Sequence, residues 1–161
     1  EETAERALRV SERDTSRLGL LAIDLDDFKP VNDRYGHAMG DQLLIAVAGR
    51  LRQTLRASDF AARMGGDEFA AIIHNVSAGE DVLEVVGKVR EALCQPYLLE
   101  SKEIHVGASI GWAVYPQDGD TLESMLAVAD QRMYADKARR KQGRGRVPTA
   151  PTAAPAEPSR H

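Results

Sequence analysis

Two groups of carboxylates in this chain are spaced for metal or phosphate chemistry. Asp24, Asp26 and Asp27 close an apolar run, and Asp67 and Glu68 directly follow a glycine pair, Gly65-Gly66. Carboxylates crowded into one place repel one another unless a proton or a cation relieves them. A divalent cation is the natural relief, and an all-oxygen set with room for phosphate oxygens favours Mg2+ or Mn2+ over zinc. The glycines add a second feature, because backbone without Cβ atoms can come close to a phosphate and turn successive N–H groups toward it. Taken singly, each feature has an ordinary alternative: solvated acids at a strand end, and a hairpin turn that needs positive φ.

Hydrophobic periodicity shows which elements must position these groups. Leu18 to Ile23 is continuously apolar, which predicts a strand buried on both faces that ends at Asp24. A short helix is predicted over 28–35. From Gly40 to Leu55 the residues Leu43, Leu44, Val47, Ala48, Leu51 and Leu55 recur at helical spacing. Phe60 to Ile73 forms two apolar pieces around Gly65-Gly66, the pattern of a β-hairpin with Asp67 and Glu68 on its turn. Val82, Leu83, Val86, Val89 and Leu93 give another helix, and Ile104 to Val114 alternates as one strand. A last helix runs from the N-cap Thr121 to about Arg140, with Leu122, Met125, Leu126, Ala129 and Met133 on one face. The order predicts an α/β fold with one sheet and helices packed on it. If the first strand and the hairpin are sheet neighbours, the two acidic groups converge at one edge.

A chain of 161 residues, 43% hydrophobic and 29% charged, is expected to form one globular domain with at most a tail. No apolar run approaches the roughly 20 residues of a membrane span, so this piece is expected to be soluble, and the single cysteine leans its expected location toward the cytoplasm. The balance of 21 basic and 25 acidic residues gives a net charge of −4, which offers no positive field for DNA or RNA. Cys94 is the only cysteine, so an internal disulfide and a cysteine-built zinc site are both excluded. Four of the seven prolines lie in 147–161, a stretch expected to be a disordered tail. The chain opens on Glu1 and not Met, as a piece of a longer protein would.

The motif Gly65-Gly66-Asp67-Glu68-Phe69, preceded by Arg63, resembles the GGDEF domain of diguanylate cyclases. So do Ile23-Asp24-Leu25-Asp26-Asp27-Phe28-Lys29, Asn32-Asp33, Tyr35-Gly36-His37 and Gly40-Asp41, followed by Ala108-Ser109-Ile110-Gly111, Ala129-Asp130, Met133-Tyr134 and Lys137. The resemblance covers Leu18 to about Lys141 and keeps the family's order. It implies a fold similar to class III nucleotidyl cyclases and polymerase palms, a central, mainly antiparallel sheet with flanking helices and the GGDEF hairpin. The catalytic domain would cover 18–146, with 1–17 the remnant of a helix, because nothing before Leu18 matches the turn with which the family usually opens. The implied reaction joins two GTP into cyclic di-GMP and two pyrophosphates across a homodimer, each 3′-OH attacking the other nucleotide's α-phosphate. An upstream regulatory domain is expected in the parent protein, and a membrane anchor elsewhere in that parent is compatible with the resemblance.

The resemblance also implies roles, residue by residue. Asp24, the backbone carbonyl of Leu25 and the Asp67 carboxylate would hold two Mg2+ (or Mn2+) ions on the triphosphate. Glu68 would support the metals or take a proton. Phe28, Lys29 and the Gly65-Gly66 backbone would meet the phosphates, with Lys29 counted beside Asp67 and Glu68 as catalytic. Lys137 would reach the terminal phosphates, and Lys141 stands where the family often has an arginine, with Gly143-Arg144 a little farther on. Asn32 and Asp41 would read guanine, and His37 would order the nucleotide loop. Arg56 and Asp59 form the Arg-x-x-Asp pair that the family carries before its glycines as a product-inhibition site, with Lys88 as a second cation. Ser109, Gly111 and Trp112 are read as core strand positions. The competing readings are a module that senses cyclic di-GMP or GTP without turnover, and a plain dimerisation scaffold.

Overall fold

The computed structural model describes residues 17–77 and 79–145. Its elements are β1 (Leu18–Asp26), α1 (Phe28–Tyr35), α2 (His37–Thr54), β2 (Phe60–Gly65), β3 (Glu68–Ile73), α3 (Gly79–Leu93), β4 (Tyr97–Leu99), β5 (Lys102–Ile104), β6 (Gly107–Tyr115) and α4 (Leu122–Gly145). The main sheet has the order β2-β3-β1-β6, and every pairing in it is antiparallel. β4 and β5 form a separate hairpin.

β1 is buried along its whole length because helices cover both faces of the sheet. Leu21, Ile23 and Leu25 join the core packed by α1, α2 and α3, while Leu18, Leu20 and Ala22 join the smaller core under α4. Side chains two apart in a strand share a face, so Asp24 and Asp26 continue the row that faces α4. Register then sets Asp24 beside Glu68 of β3 on one side and Ser109 of β6 on the other.

On β6 the residues facing α4 are small: Ser109, Gly111 and Ala113. A Cβ at Gly111 would lie 1.9 Å from the Ala129 carbonyl oxygen and 2.2 Å from the Met133 nitrogen, so the helix backbone rests directly on the strand. The outer edge of β6 is closed by side chains. Asp136 accepts from the Ile110 N–H at 2.9 Å, Arg132 donates to the Trp112 carbonyl at 2.7 Å, and Asp118 accepts from the Val114 N–H at 2.8 Å. These contacts occupy backbone groups that an edge strand otherwise offers to another chain.

The predicted mixed fold and mainly antiparallel sheet hold, with three differences in the elements. The single strand expected over 104–114 is two: Ile104 ends the β4–β5 hairpin and β6 begins at Gly107. Apolar alternation records which face a residue takes and is blind to a break in backbone pairing, which here falls at His105 and Val106. The left-handed residues Glu100 (φ 49) and Ser101 (φ 63), which turn the small hairpin, carried no glycine signal. Helix α2 begins at His37 and α4 continues to Gly145, both beyond the expected bounds. Thr121 does cap α4, accepting from the Ser124 N–H at 3.1 Å. The expected tail 147–161, and the helix remnant apart from Arg17, lie outside the described residues. Among the described residues no helix is long and apolar enough to cross a membrane.

Candidate active site

The end of β1, the β2–β3 turn and α4 meet at one place. Gly66 takes φ 52 at the turn, and the Leu25 N–H donates to the Asp67 carbonyl at 3.2 Å, which ties the hairpin tip to the end of β1. Arg63 Nε donates to the Gly66 carbonyl at 2.8 Å and braces the same turn. Asp24, Asp67 and Glu68 are thereby brought together, and Lys137 of α4 reaches in to donate to Asp24 Oδ2 at 2.6 Å. The other oxygen, Asp24 Oδ1, is buried and has no hydrogen-bond partner. The three acids at the end of β1 separate. Asp26 accepts from Ser109 Oγ at 2.6 Å and Arg140 Nε at 2.8 Å, whereas Asp27 is exposed in a left-handed turn.

Burial raises the Asp67 carboxyl above its ordinary 3.8, and the neighbouring Asp24 charge adds to the rise. Glu68 is raised above 4.5 by the same two causes, with Asp130 and Asp67 contributing further. A carboxyl that holds its proton more tightly when folded makes the native state the proton-rich one, so stability falls as pH rises through that window. Denaturant midpoints across acidic pH are expected to show this fall. Mg2+ should reduce it, and the pair Asp67→Asn with Glu68→Gln should flatten it.

These residues fit a hard divalent cation by donor type, by crowding and by the orphaned buried oxygen of Asp24. Among the described residues the side chains form no ready-made cage of three or more ligands. A site of this kind leaves coordination positions for the oxygens of a substrate.

Asn32 and Asp41, the residues expected to read guanine, lie on the next two helices. Asn32 of α1 is packed onto α2 where a Cβ at Gly40 would come within 1.8 Å of its Oδ1, and that oxygen has no hydrogen-bond partner either. Gly40 is therefore what admits Asn32 to this junction. Asp41 is exposed beside it and lines a groove of about 390 Å³ floored by Leu44, Ala48 and Phe69. Phe28 is half-buried against the same junction, while Lys29 and His37 are exposed on the first turns of α1 and α2.

Arg56, Asp59 and Lys88 come together at a second groove of about 350 Å³, away from the acidic cluster. Asp59 organises its wall: one oxygen accepts from the Arg56 N–H at 3.1 Å and the other from the His74 N–H at 3.1 Å. The Arg56 side chain is 60% exposed, and Lys88 pairs loosely with Glu84 at 3.3 Å.

Lys141 is exposed on α4 and takes no part in the cluster; the cation beside Lys137 is Arg140. Arg140 escaped the sequence reading although it lies one helical turn from Lys137, a spacing that puts both on one face. Ser109, read as packing, is buried and also fixes Asp26.

This arrangement defines a class. Residues 1–143 match the family described as diguanylate cyclase, GGDEF domain, and the chain belongs to that family. Among curated proteins it is 42% identical over 139 residues to the bifunctional diguanylate cyclase/cyclic di-GMP phosphodiesterase MucR of Pseudomonas aeruginosa, covering 86% of this chain and 20% of that one. It is 40% identical over 141 residues to the diguanylate cyclase TpbB of the same species, covering 87% of this chain and 32% of TpbB. It thus spans a third or less of the length of these relatives. The solved GGDEF domain of TpbB superimposes with a TM-score of 0.81 at 38% identity, covering 86% of this chain and 81% of that one. The GGDEF domain of DgcB from Caulobacter crescentus, solved in complex with c-di-GMP, gives 0.76 at 29% identity, covering 86% and 82%.

Proposed function

We propose that this chain is a diguanylate cyclase, a catalytic unit over 18–146 that condenses two GTP into cyclic di-GMP with release of two pyrophosphates. The observation that carries this reading is the convergence of Asp24, Asp67 and Glu68 at one sheet edge under Lys137, in a member of the GGDEF family. Carboxylates kept only for architecture have no reason to crowd where a single ammonium relieves only part of their mutual repulsion.

Asp24, Asp67 and the Leu25 carbonyl are the groups that would hold Mg2+ or Mn2+. A divalent ion bound there lowers the pKa of an attacking hydroxyl and neutralises charge developing on a phosphoryl group. Glu68 supports those ligands or receives the hydroxyl proton. Lys29, Lys137 and the backbone at Phe28 and Gly65-Gly66 bind the triphosphate. Asn32 and Asp41 face the guanine edge, where a carboxylate accepts from N1–H and the 2-amino group, donors that adenine lacks. One cluster serves one nucleotide, so two copies must face each other, and a regulatory domain elsewhere in the parent protein would govern that pairing in the cytoplasm.

Incubation of the chain with GTP and Mg2+, followed by chromatography of the nucleotides, tests the reading. A cyclic di-GMP peak whose formation rate rises with the square of protein concentration at low concentration is the expected result. Binding of GTP with no product at any protein concentration would instead favour the sensor module.

The second groove supports product feedback. Arg56 and Lys88 offer two cations to the phosphates or guanine edges of cyclic di-GMP, with Asp59 holding the turn in place. Arg56→Ala is expected to weaken product inhibition on the order of tenfold or more, the usual loss for a charge-assisted contact. Initial rates with added cyclic di-GMP measure it, and the uninhibited rate should stay near that of the parent.

A further inference from the structure

The two groups that hold each other most closely in the cluster are the two that the proposed reaction needs apart. Lys137 donates to Asp24 Oδ2 at 2.6 Å, and the Asp24 side chain is 9% exposed. Oδ1 of the same carboxylate is buried and unpartnered. Half of this buried carboxylate is neutralised and half is bare, a state that a second cation would complete. Arg140 does not take that place, because Asp26 holds it at 2.8 Å and Ser109 holds Asp26.

We propose that Lys137 is the resident counter-cation of Asp24 and gives way only when a divalent cation and a triphosphate arrive together, so that the two ligands bind cooperatively. This rests on the cyclase reading and specifies how its site is filled. A cation arriving alone meets an ammonium already hydrogen-bonded to its ligand, and like charges repel. A triphosphate arriving alone must draw the ammonium away and leave Asp24 bare, with Asp67 and Glu68 close by and an anion in front. When both arrive, the phosphates take the ammonium and the cation takes the carboxylate, so neither Lys137 nor Asp24 is left without a partner. Because linkage is reciprocal, each ligand must tighten the other by the same factor.

The test uses Mn2+ as the probe and follows free Mn2+ by electron paramagnetic resonance. Wild type should bind Mn2+ alone weakly, and Lys137→Met should bind it on the order of tenfold more tightly. Lys137→Gln guards against a folding defect peculiar to methionine, and circular dichroism checks all forms. Adding Asp24→Asn to Lys137→Met should abolish the gain. Equilibrium dialysis of an α,β-methylene analogue of GTP should show Mn2+ tightening nucleotide binding on the order of tenfold in wild type and far less in Lys137→Met. Equal Mn2+ affinity in the folded wild-type and Lys137 variants, or equal Mn2+ enhancement of the analogue in both, overturns the proposal and leaves the cyclase reading standing. Failure of every form to bind Mn2+, even with the analogue present, overturns the cation assignment itself and this inference with it.

Discussion

Asp67→Ala is expected to lower the rate of cyclic di-GMP formation at least about a thousandfold, because a bound metal supplies several kcal/mol of transition-state charge stabilisation and this side chain would hold it. The argument is geometric. Asp67 stands on a turn that Gly66 bends, Arg63 braces and the Leu25 N–H fastens to β1. No other described side chain has a carboxylate at that turn to take its place, since Glu68 opens β3 and pairs in register with Asp24. The loss should appear in kcat, with the fold intact and Arg56-dependent binding of cyclic di-GMP unchanged, because that groove shares no residue with the cluster. Nucleotide chromatography for turnover and calorimetry for product binding separate the two. Retention of full turnover by Asp67→Ala would sink the metal assignment.

Gly111→Ala is expected to destabilise the chain by about 2–3 kcal/mol or more, the cost of overpacking where the surroundings cannot yield. The obstacle is backbone: the added Cβ would lie 1.9 Å from the Ala129 carbonyl oxygen and 2.2 Å from the Met133 nitrogen. Helix α4 must lift from β6, and Lys137 and Arg140 lie beyond the contact on the same helix. Their pairs with Asp24 and Asp26 should loosen, so the variant loses GTP affinity even at temperatures where it remains folded. Gly87 is the contrasting case. It is an exposed position in α3 with nothing within 4 Å of an added Cβ, and Gly87→Ala should stabilise by about 0.5–1 kcal/mol. Urea denaturation of the two variants reads both signs. A neutral Gly111→Ala would mean that α4 does not rest on the strand as described.

Legibility in the sequence was uneven, and for physical reasons. β1 was plain because burial on both faces leaves a continuous apolar run, and α2, α3 and α4 were plain because a helix packed on one side repeats its apolar residues every three or four positions. The β4–β5 hairpin was not, since its turn uses Glu100 and Ser101 at positive φ and its strands are three residues each. Arg140 and Ser109 were missed as site residues because their roles depend on Asp26, which lies more than eighty residues away in sequence.

By itself the sequence determined which chemistry the chain carries: acids at a strand end and at a glycine turn, with basic residues in later helices. These are properties of residue type and local spacing. Only the tertiary structure decided which of those groups meet. Antiparallel register put Glu68 beside Asp24, and the small residues of β6 brought α4 close enough for Lys137 and Arg140 to reach separate carboxylates. The same packing left Lys141 in solvent and Asp27 outside the cluster. Pairing across the sheet and the depth of a helix against it are set by contacts between distant segments, and no local pattern encodes them.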